Sequence, residues 1–110
     1  MLFISTEDFF NQAKALPPLS REEEQLLAKQ MAQDPAAREQ LIRSYLPHVA
    51  SYVRRAPKDL QTLQTVYACL ATLEKGVDSF HFQQEQETFS HHLSWRLRQC
   101  ITRCIADRGY

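Results

Sequence analysis

Apolar residues recur along the chain at steps of three and four, and no stretch alternates apolar with polar residues as a half-buried strand does. The pattern predicts helices throughout. Ser5 caps a first short helix, with Glu7 and Asp8 in its first turn and Phe9, Phe10 and Ala13 on its buried side; Pro17-Pro18 ends it. Ser20-Arg21-Glu22-Glu23 is a capping box opening a helix that carries Leu27 and Met31. Asp34 caps the next helix with Pro35 at its first position, and Ile42, Tyr45, Leu46, Val49, Tyr52 and Val53 keep a helical period. Pro47 inside that run lacks a backbone donor and crowds the carbonyl of Arg43, so a kink or brief break is expected. After a turn at Ala56-Pro57-Lys58, Asp59 is expected to cap a helix striped by Leu63, Val66, Tyr67, Leu70, Leu73 and Val77. His81 to Glu87 reads as a polar, glutamine-rich loop. A last helix, Ser90 to Arg108, has Leu93, Leu97, Cys100, Ile101, Cys104 and Ile105 as its apolar face. The expected fold is all-α: a compact bundle of about five helices in a single domain, 1–110.

Composition narrows the function classes. Thirteen basic and thirteen acidic residues balance, which does not suggest a generic nucleic-acid binder. The distribution says more, because Arg96, Arg98, Arg103 and Arg108 share the last helix with Asp107 alone. No apolar run is long enough to cross a bilayer, and Met1-Leu2-Phe3-Ile4 is followed at once by Glu7 and Asp8, unlike a signal peptide. A cytoplasmic chain with no membrane partner is expected. Cys69, Cys100 and Cys104 are odd in number, which argues for reduced thiols. Cys100 and Cys104 with His91 and His92 upstream lack paired metal-ligand spacing, so buried small hydrophobes are expected and neither metal nor cofactor. His48, His81, His91 and His92 could serve as acid-base groups, but no nucleophile, carboxylate pair or glycine-rich loop accompanies them, and no enzyme is expected.

The last helix carries a second row. Trp95, Gln99, Thr102 and Ala106 follow at steps of four, three and four, flanked by Arg98 and Arg103. An amide can pair with an adenine edge, a hydroxyl with several edges, guanidinium groups with phosphate or guanine, and an indole can stack on an unpaired base. On spacing alone the row reads equally as a solvated face with a half-buried tryptophan.

The residues themselves add a resemblance. Ser94-Trp95-Arg96-Leu97-Arg98-Gln99-Cys100-Ile101-Thr102-Arg103-Cys104-Ile105-Ala106-Asp107 resembles the promoter-recognition segment in region 2 of the sigma-70 family, patterned aromatic-aromatic-x-Arg-Gln-x-Ile-x-Arg-x-Ile-x-Asp. Phe89-Ser90 matches the opening of that family helix, and Val77-Asp78-Ser79-Phe80 resembles its valine-glutamate-lysine-phenylalanine. Leu19 to Glu24 with Leu27-Ala28-Lys29 resembles the helix preceding region 2, and Ala37 to Ile42 with Tyr45-Leu46 and Val49 the next one. The resemblance runs from about Ser5 to Arg108.

The resemblance implies N-terminal helices over 1–58, and polymerase-docking and promoter-reading helices over 59–110. It implies binding to the clamp coiled coil of the largest subunit of core RNA polymerase and to the minus-ten element of promoter DNA. By position, DNA contact falls to His92, Trp95, Arg96, Arg98, Gln99, Thr102 and Arg103, and polymerase contact to Gln64, Tyr67, Ala68, Leu70 and Glu74. Gln99 and Thr102 would read the upstream edge, Trp95 would stack where the duplex opens, and Arg98 and Arg103 would hold the backbone. Two positions and one loop depart from the pattern. Arg96 replaces a second aromatic, His92 an upstream base-stacking aromatic, and Gln83-Gln84-Glu85-Gln86-Glu87 a basic loop. Region 4 would come from a longer chain or a separate subunit. Two functions are therefore expected: a sigma-like transcription initiation module, or a protein-interaction module of the same fold that binds polymerase or another sigma subunit without reading DNA. Trp95 is expected partly exposed, and Leu63, Val66, Leu70 and Leu73 divided between the core and an exposed strip.

Overall fold

Side-chain caps set where the helices begin. The computed structural model describes residues 2–83 and 87–108, which form helices and connecting turns without a strand. Helix α1, Thr6–Lys14, starts at Ser5, whose hydroxyl accepts from the Asp8 N–H at 3.1 Å. Helix α2, Arg21–Gln30, has the expected capping box: the Ser20 hydroxyl accepts from the Glu23 N–H at 3.1 Å, and the Glu23 carboxylate accepts from the Ser20 N–H at 3.0 Å. Helix α3, Pro35–Ser44, begins where the Asp34 carboxylate accepts from the Ala36 N–H at 3.0 Å.

The expected break near Pro47 falls at Tyr45, where φ is −99° and ψ is 2°. Helix α4, Leu46–Arg55, then carries Pro47 in its first turn, where a missing N–H leaves no bond unmade. Helices α3 and α4 are thus the two halves of the third expected helix. Asp59, expected as a cap, lies instead in a single 3-10 turn, Lys58–Leu60. Its carboxylate accepts two bonds from Arg108, both 2.6 Å, and this charge-assisted contact takes it away from the helix start. Thr62 caps helix α5, Leu63–Ser79, accepting from the Thr65 N–H at 3.3 Å. Thr88 caps helix α6, Phe89–Asp107, accepting from the His91 N–H at 3.2 Å.

One core joins these elements. Phe9 from α1, Leu41 from α3, Val49 and Val53 from α4, Val66 and Leu73 from α5, and Leu93 and Leu97 from α6 are all 0% exposed. Helix α5 lies antiparallel to α6, since Cys69 meets Cys100 and Asp59 reaches Arg108. Helix α4 runs parallel to α6: Tyr45 packs on Phe89 at 4.8 Å between ring centroids, and His48 meets Ser94. It ends at Arg55, about one turn short of Ile105. The apolar stripe of α6 therefore thins: Cys100, Ile101 and Cys104 are half-buried, and Ile105 is 36% exposed rather than core. The polar reading of the loop after α5 also needs correction. Phe82 is buried, packing edge-on against Phe80 at 5.0 Å, and the Gln25 amide donates to its carbonyl at 2.8 Å. Gln84, Glu85 and Gln86 of that loop lie outside the described residues. Among the described residues no helix is long and apolar enough to cross a membrane.

Two predictions follow from this packing. Leu73→Ala should lower stability by about 2–5 kcal/mol in urea denaturation, because its buried site is held on several sides. The second concerns Arg38, which grips Asp78 with two bonds of 2.8 Å and ties α3 to α5. That contact holds the Asp78 carboxyl below its ordinary value of 3.8. Its contribution is present above that value and lost as pH falls through the lowered folded pKa. With side chains 36% and 54% exposed, it amounts to less than about 1 kcal/mol. Denaturation of Asp78→Asn should show a small deficit at neutral pH that vanishes in acid.

Candidate nucleic-acid interface

Helix α6 turns once every 3.6 residues, so burying Leu93 and Leu97 puts Trp95 and Thr102 on the opposite side. Trp95 is 55% exposed. Arg98, Gln99, Thr102, Arg103 and Ala106 are exposed with it, and the second row becomes a continuous ridge. Arg98 flanks the ridge towards α4 and Arg103 flanks it towards α5. Among the described residues neither guanidinium forms an ion pair, which leaves both able to meet an external anion. The Thr102 hydroxyl donates to the Arg98 carbonyl at 2.8 Å, so it offers acceptor lone pairs outward.

The α4 side extends this surface with Tyr52, which hydrophobic periodicity placed on the apolar face, and with His48 and Arg55. Tyr52 is half-buried, its ring stacked on His48 at 5.6 Å between centroids, with the Arg55 guanidinium over the ring 5.1 Å from its centroid. Hydrogen bonding to Ser94, then Arg98 and the charge of Arg55, lowers the Tyr52 pKa from its ordinary value. His48 lies 2.8 Å from the Ser94 hydroxyl, and burial followed by Arg55 pulls its pKa down. An aromatic and a cation thus stand beside the ridge. The sequence signal for them was Arg54-Arg55 closing a helix that also carries Tyr52.

His92 and Arg96 are not brought onto the ridge. The His92 side chain is 21% exposed and packs on Phe80 at 5.0 Å between rings. Its Nε2 accepts from Arg96 Nε at 2.8 Å, which puts its proton on Nδ1, 3.3 Å from the Glu87 carboxylate. Arg96 also donates to the Ser79 hydroxyl at 3.3 Å. Both side chains are thus engaged within the fold.

Helix α5 differs more from expectation. Gln64 and Glu74 are exposed, and Tyr67 and Ala68 are half-buried. Leu70, assigned by position to a partner, is 5% exposed and belongs to the core. The expected division of apolar residues is overturned: Val66 and Leu73 are 0% exposed, Leu70 is buried, and Leu63 is half-buried against the core. The cause is that α3, α4 and α6 all pack on α5 and cover its apolar girth. What remains outside is polar, with Lys75 and Asp78 beside Gln64 and Glu74. Tyr67 is partly occupied by the start of the chain: its hydroxyl accepts from the Phe3 N–H at 3.0 Å, and Phe3 is buried against Phe9. Between α5 and α6 lies an open groove of about 400 Å³, lined by Ala68, Thr72 and Lys75 on one side and Gln99, Cys100 and Arg103 on the other.

Trp95 is the chain's single tryptophan, so its exposure can be read directly. Native fluorescence should show the red-shifted emission of a solvated indole and quench readily with a soluble quencher. Trp95→Ala should change stability by no more than about 0.5 kcal/mol, as expected of an exposed position. A loss of several kcal/mol would mean that the ring is structural. No protein-family model matches the chain and no curated protein matches it in sequence, so the sigma-like resemblance rests on the residues of the chain themselves.

Proposed function

We propose that the chain is a sigma-factor-like transcription initiation module, cytoplasmic, that binds core RNA polymerase and the minus-ten promoter element. The observation that carries this reading is that Trp95, Arg98, Gln99, Thr102 and Arg103 form an exposed ridge on α6. An exposed indole costs solvation without returning packing, and its neighbours are the groups that pair with base edges and phosphates. Arg98 and Arg103 supply attraction that does not depend on sequence. Gln99 and Thr102 supply base-edge discrimination, and Trp95 supplies a stacking platform for an unpaired base. Tyr52 and Arg55 widen the same surface. On α5, Gln64 and Glu74 offer polar contacts for the polymerase clamp, so docking there would rest on hydrogen bonds and charge. Contact with the minus-thirty-five element falls to region 4 on another segment or subunit.

A second reading is favoured by a separate observation. Glu87 faces His91 and His92, and Arg96 is held by His92 and Ser79. The upstream end of α6 thus satisfies its own polar groups and carries a carboxylate that repels DNA. On this reading the chain binds polymerase or another sigma subunit without reading DNA.

The two readings separate in a complex with bacterial core polymerase, using single- and double-stranded minus-ten oligonucleotides. Arg103→Ala should make the salt dependence of binding shallower by about one unit of slope. Gln99→Ala should leave the slope unchanged and reduce preference for the cognate element by about 1–3 kcal/mol. Trp95→Ala should weaken single-stranded more than duplex binding. Polymerase binding with equal affinity for cognate and scrambled DNA, unchanged by these substitutions, would leave the second reading.

A further inference from the structure

Three thiols meet where α5 and α6 cross. Cys69 is 0% exposed and its Sγ lies 3.9 Å from that of Cys100. Cys100 and Cys104 are half-buried, one turn apart on α6. Cys100 also lines the open groove between the helices, with Lys75, Arg96 and Arg103 as cationic neighbours and Asp107 as the acidic one. A groove of about 400 Å³ admits a small solute, since one water occupies about 30 Å³ of liquid. Among the described residues no group of three or more His, Cys, Asp or Glu side chains is arranged to hold a metal ion.

The three thiols differ in environment. The hydrogen bond to Cys100 and burial push the Cys69 pKa up, keeping that thiol protonated. The same bond, with the Thr72 hydroxyl, Cys104 and the Arg103 charge, pulls Cys100 below the ordinary thiol value against the opposing effect of burial. Cys104 is raised, first by its own burial. Cys100 is thus the half-buried sulfur at the groove, in contact with the fully buried Cys69.

We propose that Cys100 is a hydroperoxide-reactive thiol and that Cys69 resolves its oxidised form as a disulfide linking α5 to α6. In the first step the Cys100 thiolate attacks a peroxide oxygen. The S–O bond forms, the O–O bond breaks, and the electron pair leaves on an alkoxide or hydroxide that solvent protonates. The sulfur is oxidised by two electrons to a sulfenic acid and the peroxide is reduced. In the second step the Cys69 sulfur attacks the Cys100 sulfur. The S–S bond forms, the S–O bond breaks, and the hydroxyl departs with the Cys69 proton as water. The sulfurs stand 3.9 Å apart, so closing to a bonding distance of about 2.05 Å is an approach of about 1.9 Å between groups already side by side. Cys104 lies one turn along the same helix and also bonds to Cys100, so it is the competing resolving thiol that a peptide map distinguishes from Cys69. The chemistry requires nothing of the DNA-reading proposal and goes beyond it. Its placement beside Gln99 and Arg103 would nonetheless put an oxidant-driven change next to the ridge.

Tryptic cleavage separates the three cysteines into peptides 59–75, 99–103 and 104–108, so the full chain treated with hydrogen peroxide can be mapped directly. The expected product is an intramolecular link between 59–75 and 99–103, reversed by a thiol reductant, with the thiol of 104–108 left free. At neutral pH Cys100 should alkylate at least about tenfold faster than Cys104, and unfolding in urea should abolish the difference. In Cys69→Ala, Cys100 loses the hydrogen bond that most lowers its pKa and should oxidise more slowly, but the sulfenic acid it forms should persist on 99–103 and be trapped by a cyclic dione. Cys104→Ala, which leaves the buried thiol untouched, should still form the link. A link between 99–103 and 104–108, or thiols that react at equal rates in the folded chain, would overturn the assignment.

Discussion

Burial of Leu93 and Leu97 against α4 and α5 fixes the rotation of α6 about its axis, and the exposed ridge depends on that rotation. Turning the helix by half a revolution to hide Trp95 would expose Phe89, Leu93 and Leu97, at about 1.5–3 kcal/mol each, in exchange for one indole. The leucines win by a wide margin. The indole, the amide and the two guanidinium groups therefore face solvent as a consequence of core packing. Core packing alone is enough to turn the ridge outward; Arg98 in addition bonds to Tyr52 of α4.

Around this constraint the remaining elements act as supports. Helix α5 is covered by α3, α4 and α6, which makes it the centre of the bundle and leaves it a polar outer strip. The Arg38–Asp78 pair closes α3 onto it, and the Asp59–Arg108 contact ties the turn before α5 to the far end of α6. Exposed pairs of this kind contribute little stability singly. The Asp59–Arg108 contact lies at the end of the α5–α6 pair that carries Cys69 and Cys100.

Helix starts were legible because their signals are local. Ser5, Ser20 with Glu23, and Asp34 with Pro35 each bond backbone donors within a few residues. Asp59 misled because an acidic residue before a helix and an acidic residue awaiting a distant arginine look the same in sequence. Phe82 was hidden for a similar reason: one aromatic in a polar loop finds its core by contacts with Phe80 and Phe89 that no period encodes. The ridge of α6 was legible down to Trp95, since one periodic helix carries both its buried and exposed faces. Tyr52 and Arg55 come from a different helix, and their place beside it depends on how α4 crosses α6. Leu70 was misplaced because an apolar residue on a helix packed from three sides has no sequence mark separating core from outer strip.

If the exposed face of α6 reads DNA, Trp95 should touch it. A photo-crosslinking amino acid at position 95 should be irradiated in a complex of the full chain, core polymerase and a minus-ten promoter fragment. Adducts are expected on bases of the non-template strand within the element, lost when that sequence is scrambled. Adducts confined to a polymerase subunit or another protein, with none on DNA, would contradict DNA reading by this face.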